Sequence, residues 1–104
     1  MGREYEEFAR VFKALGDPSR LELVHILIRE EGTLSVSALG RGLSISQSTI
    51  SQHLRVLRDA GIIRSERRGA SIHYQMDWPR LRELRYRFSN TFGELLLEDE
   101  PTRS

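Results

Sequence analysis

Ser46, Gln47, Ser48, Thr49, Ser51, Gln52, His53 and Arg55 gather hydroxyls, amides, an imidazole and a guanidinium into one short stretch, with no carboxylate before Asp59. At about 3.6 residues per helical turn, Ser48, Gln52 and Arg55 share one face, flanked by Thr49 and Ser51. Ile50, Leu54 and Leu57 share the opposite face and would anchor it to a core. The polar face has the chemistry that reads base-pair edges. A glutamine amide pairs bidentately with adenine, a guanidinium with guanine, and hydroxyls reach bases or phosphates. Ser46 is placed as the N-cap, and the free amides behind it offer a partial positive charge to a phosphate. A polar helix face is more often merely solvated, but the missing acids speak for an anionic partner.

A second group lies a few residues on. Arg67 and Arg68 precede Gly69 at what reads as a hairpin tip, where they would approach a DNA backbone or minor groove. Alone, such a tip would be an ordinary polar turn. The charge distribution supports the joint reading: from Arg41 to Gln75 six arginines face two carboxylates, a net charge of +4, although the whole chain carries only +1. Both ends are acidic, with Glu4, Glu6 and Glu7 at one and Glu94, Glu98, Asp99 and Glu100 at the other. Such asymmetry fits one region facing an anion and another turned away from it.

These groups need a scaffold, and the hydrophobic pattern supplies one. Tyr5, Phe8, Phe12 and Leu15 recur at three- and four-residue spacing, predicting a helix over about 3–15 that stops at Gly16. Asp17 and Pro18 read as an N-cap and first helical residue of a second helix, about 18–31, apolar almost all round and therefore the central core helix. A third, short helix is expected at about 37–43 and a fourth at 47–60, stopped by Gly61. Two alternating runs within 62–76 form a two-stranded wing. A last helix over 78–98 carries Leu81, Leu84, Phe88, Phe92 and Leu95 at heptad-like spacing, and 101–104 form a disordered tail. Helix, helix, helix, helix, hairpin, helix is a mainly α fold with a small β-hairpin: a single winged helix-turn-helix domain over 1–100.

With 104 residues and 8% aromatics, the core of one copy is thin. The first and last helices show apolar stripes beyond what it can cover, so Tyr5, Phe8, Phe12, Leu15, Leu81, Leu84, Phe88, Phe92 and Leu95 are expected at a homodimer interface. A two-fold dimer would set two recognition helices about 34–36 Å apart on double-stranded DNA. The alternative is that both helices fold back on their own domain. The absence of cysteine excludes disulfides, thiolate metal sites and cysteine nucleophiles. No run is apolar enough for a membrane span or signal peptide, so a cytoplasmic protein with no membrane partner is expected.

Three segments together resemble the ArsR/SmtB family of metal- and stress-responsive repressors, over about Phe8 to Leu97. Phe12 to Leu21, with Gly16-Asp17-Pro18-Ser19-Arg20 at its centre, is similar to the family's opening signature. Ser46 to Leu57 is similar to its recognition helix, and Arg67-Arg68-Gly69 with His73-Tyr74 to its wing. The resemblance implies a homodimer built on the first and last helices, a palindromic operator, repression, and control by an effector. The family's metal sites are not matched. Its third-helix pattern Glu-Leu-Cys-Val-Cys-Asp-Leu stands here as Thr33 to Leu39, with Ser35 and Ser37 for the thiols, and serine is a poor ligand for soft metals. The last-helix positions, aligned on the wing, are Trp78, Arg80, Thr91 and Glu94, of which only Glu94 fits. Starting the frame at Asp77 instead gives Pro79, Asn90 and Gly93.

The leftover metal candidates are His73, on the outward face of the second strand, with nearby Asp77 and with Glu94; such a set would suit nickel or zinc. His25 reads as a core or boundary histidine, and His53 as a packing residue or phosphate contact. No phosphate-binding glycine loop or catalytic constellation is present, so an enzyme is not expected. The competing reading is a winged-helix module for protein–protein contact without DNA binding, which would tolerate Gln52→Ala and Arg55→Ala.

Overall fold

The computed structural model describes residues 2–30 and 32–96, for residue 96 the backbone alone. The first helix, α1 (Gly2–Leu15), leads into α2 (Pro18–Arg29) through a tight turn. Asp17 caps α2 by accepting the backbone N–H groups of Ser19 at 2.9 Å and Arg20 at 3.2 Å, and Pro18 fills the first turn, where a missing N–H costs nothing. The Arg20 N–H, with that of Ser19, holds the Asp17 carboxyl below its ordinary range.

A two-residue strand, β1 (Leu34–Ser35), and a one-turn helix, α3 (Val36–Leu39), come next. The fourth helix, α4 (Gln47–Asp59), is followed by the hairpin β2 (Ile63–Arg68) and β3 (Ser71–Met76), then α5 (Trp78–Phe92) and a 3-10 turn over Gly93–Leu96. The sheet is antiparallel in the order β1-β3-β2, with Leu34 opposite Tyr74 and Ile63 opposite Met76. Its buried base, together with α2, α3 and α4, encloses the core: Leu23, Leu39, Ile50, Leu54, Leu57, Ile62 and Ile63 are fully buried.

The expected elements need four corrections. The third helix, read as 37–43, occupies Val36–Leu39 because Ser35 accepts the Ala38 N–H at 3.2 Å and so starts the turn one residue earlier. The strand before it went unpredicted; Leu34 and Ser35 are extended because β3 offers them a free edge. The second helix is not apolar all round in effect. Leu23, Val24 and Leu27 are buried, but Leu21 and Ile28 stay about half exposed and His25 is exposed, because the core lies on one side only. Helix α5 ends at Phe92, ahead of the expected 98; residues 97–100, the tail at 101–104 and position 31 lie outside the described residues.

The α1 stripe is shared between two destinations. Phe8 is 4% exposed and packs edge-on against Phe88 at 5.4 Å and Phe92 at 6.0 Å of its own chain, so it belongs to the protomer's own packing rather than to an open face. Leu15, Leu81, Leu84, Phe88 and Phe92 are half-buried. Tyr5 (49% exposed), Phe12 (53%) and Leu95 (74%) face outward.

Candidate nucleic-acid interface

The sequence Ser46-Gln47-Ser48-Thr49 starts α4 for a local reason. The Ser46 hydroxyl accepts the Thr49 N–H at 3.1 Å and donates to the Thr49 Oγ1 at 3.0 Å, satisfying an amide that the helix leaves unpaired. Ile50, Leu54 and Leu57 bury the inner face. The helix then stops at Gly61 in a Schellman arrangement: the Gly61 N–H donates to the Arg58 carbonyl at 2.9 Å and the Ile62 N–H to the Leu57 carbonyl at 3.0 Å. Gly61 has φ +80°, a left-handed conformation that a side chain would strain.

With its inner face fixed, α4 turns Ser48, Ser51, Gln52 and Arg55 to the outside, all exposed. No carboxylate among the described residues pairs with Arg55, and the nearest acid in sequence, Asp59, lies in the last turn 3.8 Å from Arg58. Four of the expected contact residues are partly occupied. Ser46 and Thr49 cap the helix, and the Gln47 amide donates to the Ser37 hydroxyl at 3.3 Å, tying α4 back to α3. His53 is half-buried with its Nδ1 3.2 Å from Arg20, so it points partly into the protein.

The hairpin register separates the two wing arginines. Arg67 lies opposite Ile72 and Arg68 opposite Ser71, on alternate faces of β2, with Gly69 making the turn at φ +59°. Arg68 is held by Glu66, with Nε at 2.7 Å and Nη2 at 2.6 Å from one carboxylate oxygen. Arg67 has no carboxylate partner among the described residues. The sequence reading treated the two arginines alike; they differ because Glu66, two residues before Arg68 on the same strand, shares its face and pairs with it.

Residues 15–66, from the end of α1 to the middle of β2, match the model of a helix-turn-helix domain family. A relative from Methanocaldococcus jannaschii, described as an uncharacterised HTH-type transcriptional regulator, is 37% identical over 81 residues, which is 78% of this chain and 90% of that protein. A SmtB-homologous transcriptional repressor of Synechocystis is 37% identical over 68% of this chain and 52% of its own length, so the chain spans about half of that relative. The solved structure of an ArsR-like transcriptional regulator from Rhodococcus sp. RHA1 superposes with a TM-score of 0.75 at 29% identity, covering 91% of this chain and 87% of that one.

The chain belongs to the ArsR/SmtB family. Its members are transcriptional regulators with a winged helix-turn-helix DNA-binding domain, and they are not enzymes. In this ArsR/SmtB chain the serines at the family's thiolate positions serve the scaffold. Ser35 caps α3, and Ser37 accepts from Gln47 across the helix-turn-helix.

The leftover metal candidates do not converge. His73 sits on β3 with its Nδ1 3.4 Å from the Thr33 hydroxyl, Asp77 caps α5 by accepting the Arg80 N–H, and Glu94 lies in the 3-10 turn. Among the described residues no three histidine, cysteine, aspartate or glutamate side chains form a group able to hold a metal ion. Among the same residues no helix is long and apolar enough to cross a membrane.

Four functional residues escaped the sequence reading. Arg20 donates through Nε to the Ala14 carbonyl at 2.6 Å and meets His53 with Nη1, so it braces the recognition helix against the end of α1. Glu7 takes ion pairs from Arg80 at 3.0 Å and Arg87 at 2.5 Å, joining α1 to α5. The hydrogen bond from Arg87, aided by the charge of Arg80, holds the Glu7 carboxyl below its ordinary range. Nothing in the local pattern marked these side chains, since the partners that link the helices, His53 for Arg20 and Glu7 for Arg80 and Arg87, lie far away in sequence.

Proposed function

We propose that this regulator is a cytoplasmic homodimeric repressor that reads a palindromic operator. The exposed face of α4, Ser48, Ser51, Gln52 and Arg55, would lie in the major groove, with Gln52 and Arg55 reading base edges and the hydroxyls reaching bases or phosphates. The Arg67 side of the wing tip, with Gly69, would follow the backbone or minor groove, and Arg68 would contribute less because Glu66 already neutralises it. One observation carries this reading: an outward helix face of hydroxyls, an amide and a guanidinium that no carboxylate among the described residues pairs with, beside a wing whose Arg67 is equally unopposed among them.

The homodimer is supported by what α1 and α5 leave open. An apolar groove of about 420 Å3 runs between them, with Phe12, Leu15, Leu81, Leu84 and Phe88 among its walls. Phe12, on its edge, is more than half exposed. A second copy of the same pair would cover it and place two α4 helices on one side of the dimer.

Fluorescence anisotropy against DNA from upstream of its own gene, in EDTA and then with nickel or zinc, tests the reading. Tight binding that weakens steeply with salt and exceeds binding to random DNA is expected. A shift on adding either metal would assign an effector. No preference over random DNA, repeated in a genome-wide selection, would leave the protein-contact alternative.

A further inference from the structure

The C-terminal end of the recognition helix is fastened to α5 and α1 by a chain of contacts. Directly after Gly61, the Ile62 carbonyl accepts the backbone N–H of Asp77 at 3.0 Å. Asp77 in turn caps α5 through the Arg80 N–H at 3.3 Å. The Arg80 side chain then runs back over Gly61, so closely that a Cβ there would overlap its Nε, Cδ and Cζ. Beyond Gly61 the guanidinium ends on Glu7 of α1 at 3.0 Å. Gly61 therefore serves twice: its φ of +80° closes the helix, and its bare Cα leaves the channel that Arg80 occupies. A cation over the last turn of α4 also lies at the negative end of that helix.

We infer that Arg80 is a positioning residue that fixes the angle between α4 and the α1/α5 pair, and so sets the half-site spacing the protein accepts. The inference rests on the dimeric operator-reading function proposed above. Both ends of the link lie where that function needs rigidity. Helix α4 meets the DNA, α1 and α5 meet the second copy, and the distance between two α4 helices depends on how each is held to its own α1 and α5. The Arg80–Glu7 pair is partly exposed, with side chains 41% and 23% accessible, so it adds little to global stability. Its effect is expected in geometry, where a small rotation of α4 at each half-site changes which spacing fits.

The test measures affinity for an operator and for versions with one base pair added to or removed from its centre, using wild type, Arg80→Ala and Glu7→Gln. Sedimentation first checks that each variant assembles as the wild type does. The wild type should lose about tenfold or more on either altered spacing. Each variant should lose only about threefold or less, because its α4 can adjust, while its binding to random DNA stays unchanged. The double variant should do no more than either single one, as expected when two residues form one link. Assembled variants that keep the full discrimination would overturn the positioning role and leave the regulator reading intact. A wild type that fails to prefer any operator, or binds as a monomer, would overturn both.

Discussion

Arg20, one turn into α2, lies with its Nη1 3.2 Å from the Nδ1 of His53 on the recognition helix, while its Nε donates to the Ala14 carbonyl at 2.6 Å. One side chain thus joins the end of α1, the start of α2 and the middle of α4. Because an arginine only donates, the contact is a hydrogen bond in the tautomer whose Nδ1 accepts. Arg20→Ala would leave the Ala14 carbonyl without this partner and should cost about 1–3 kcal/mol. For a domain of this size that corresponds to a melting point lowered by about 4–8 °C per kcal/mol. Calorimetry reads the loss, and an unchanged melting point would contradict the brace.

Gln52 and Arg67 should fail in different ways. Gln52→Ala should cost about 1–3 kcal/mol on the operator and relax preference at a single base position, with random DNA bound as before. Arg67→Ala should weaken all sequences alike and reduce the slope of log affinity against log salt by about one unit. Anisotropy titrations over several salt concentrations separate the two. Equal losses of Gln52→Ala on operator and random DNA would remove its base-reading role.

Glu66 restrains Arg68 at 2.6 Å, so the wing holds a cation in reserve. Glu66→Gln removes the charge that holds it. Affinity should rise on operator and random DNA together, with a steeper salt dependence. Unchanged binding at low salt would mean that Arg68 does not reach DNA in either state.

Phe8 and Phe12 are one helical turn apart and should behave oppositely. Phe8, 4% exposed, supports its own protomer, and Phe8→Ala should cost about 3–5 kcal/mol, a large share of a small domain's stability. Phe12, 53% exposed, would support the second copy in the proposed dimer. Phe12→Asp should therefore leave the circular dichroism of a folded chain and yield a monomer in sedimentation, with operator binding lost. A Phe12→Asp dimer of unchanged affinity would place the interface elsewhere.

Acid should unfold the protein through two carboxylates. Glu7, held down chiefly by its hydrogen bond from Arg87, and Asp17, held down chiefly by the Arg20 N–H, both titrate below their ordinary values of 4.5 and 3.8. A carboxyl with a lower value folded than unfolded contributes stability that is present above the unfolded value and lost as pH falls through the folded one. Melting points should be flat in this respect near neutrality and fall as acid passes those ordinary values. Glu7→Gln should flatten part of that decline, and an identical acid limb in the variant would show that its ion pairs contribute nothing.

The sequence by itself determined the elements and most of the candidate site. Asp17-Pro18, Ser46 and Gly61 mark helix ends because their effects act within one turn, and the structure finds them there. Ile50, Leu54 and Leu57 fix which side of α4 is inward, and therefore which residues face out, because a helix repeats every 3.6 residues whatever it packs against. Only the tertiary structure decided what each element touches. β1 exists because Leu34 meets Tyr74 forty residues on, and Phe8 is internal because Phe88 and Phe92 close over it. Arg20 and Arg80 grip α4 from helices remote in sequence. Local periodicity records the side of an element that is buried. The partner on that side is chosen by packing across the chain, where many arrangements share one pattern and only the folded contacts select between them.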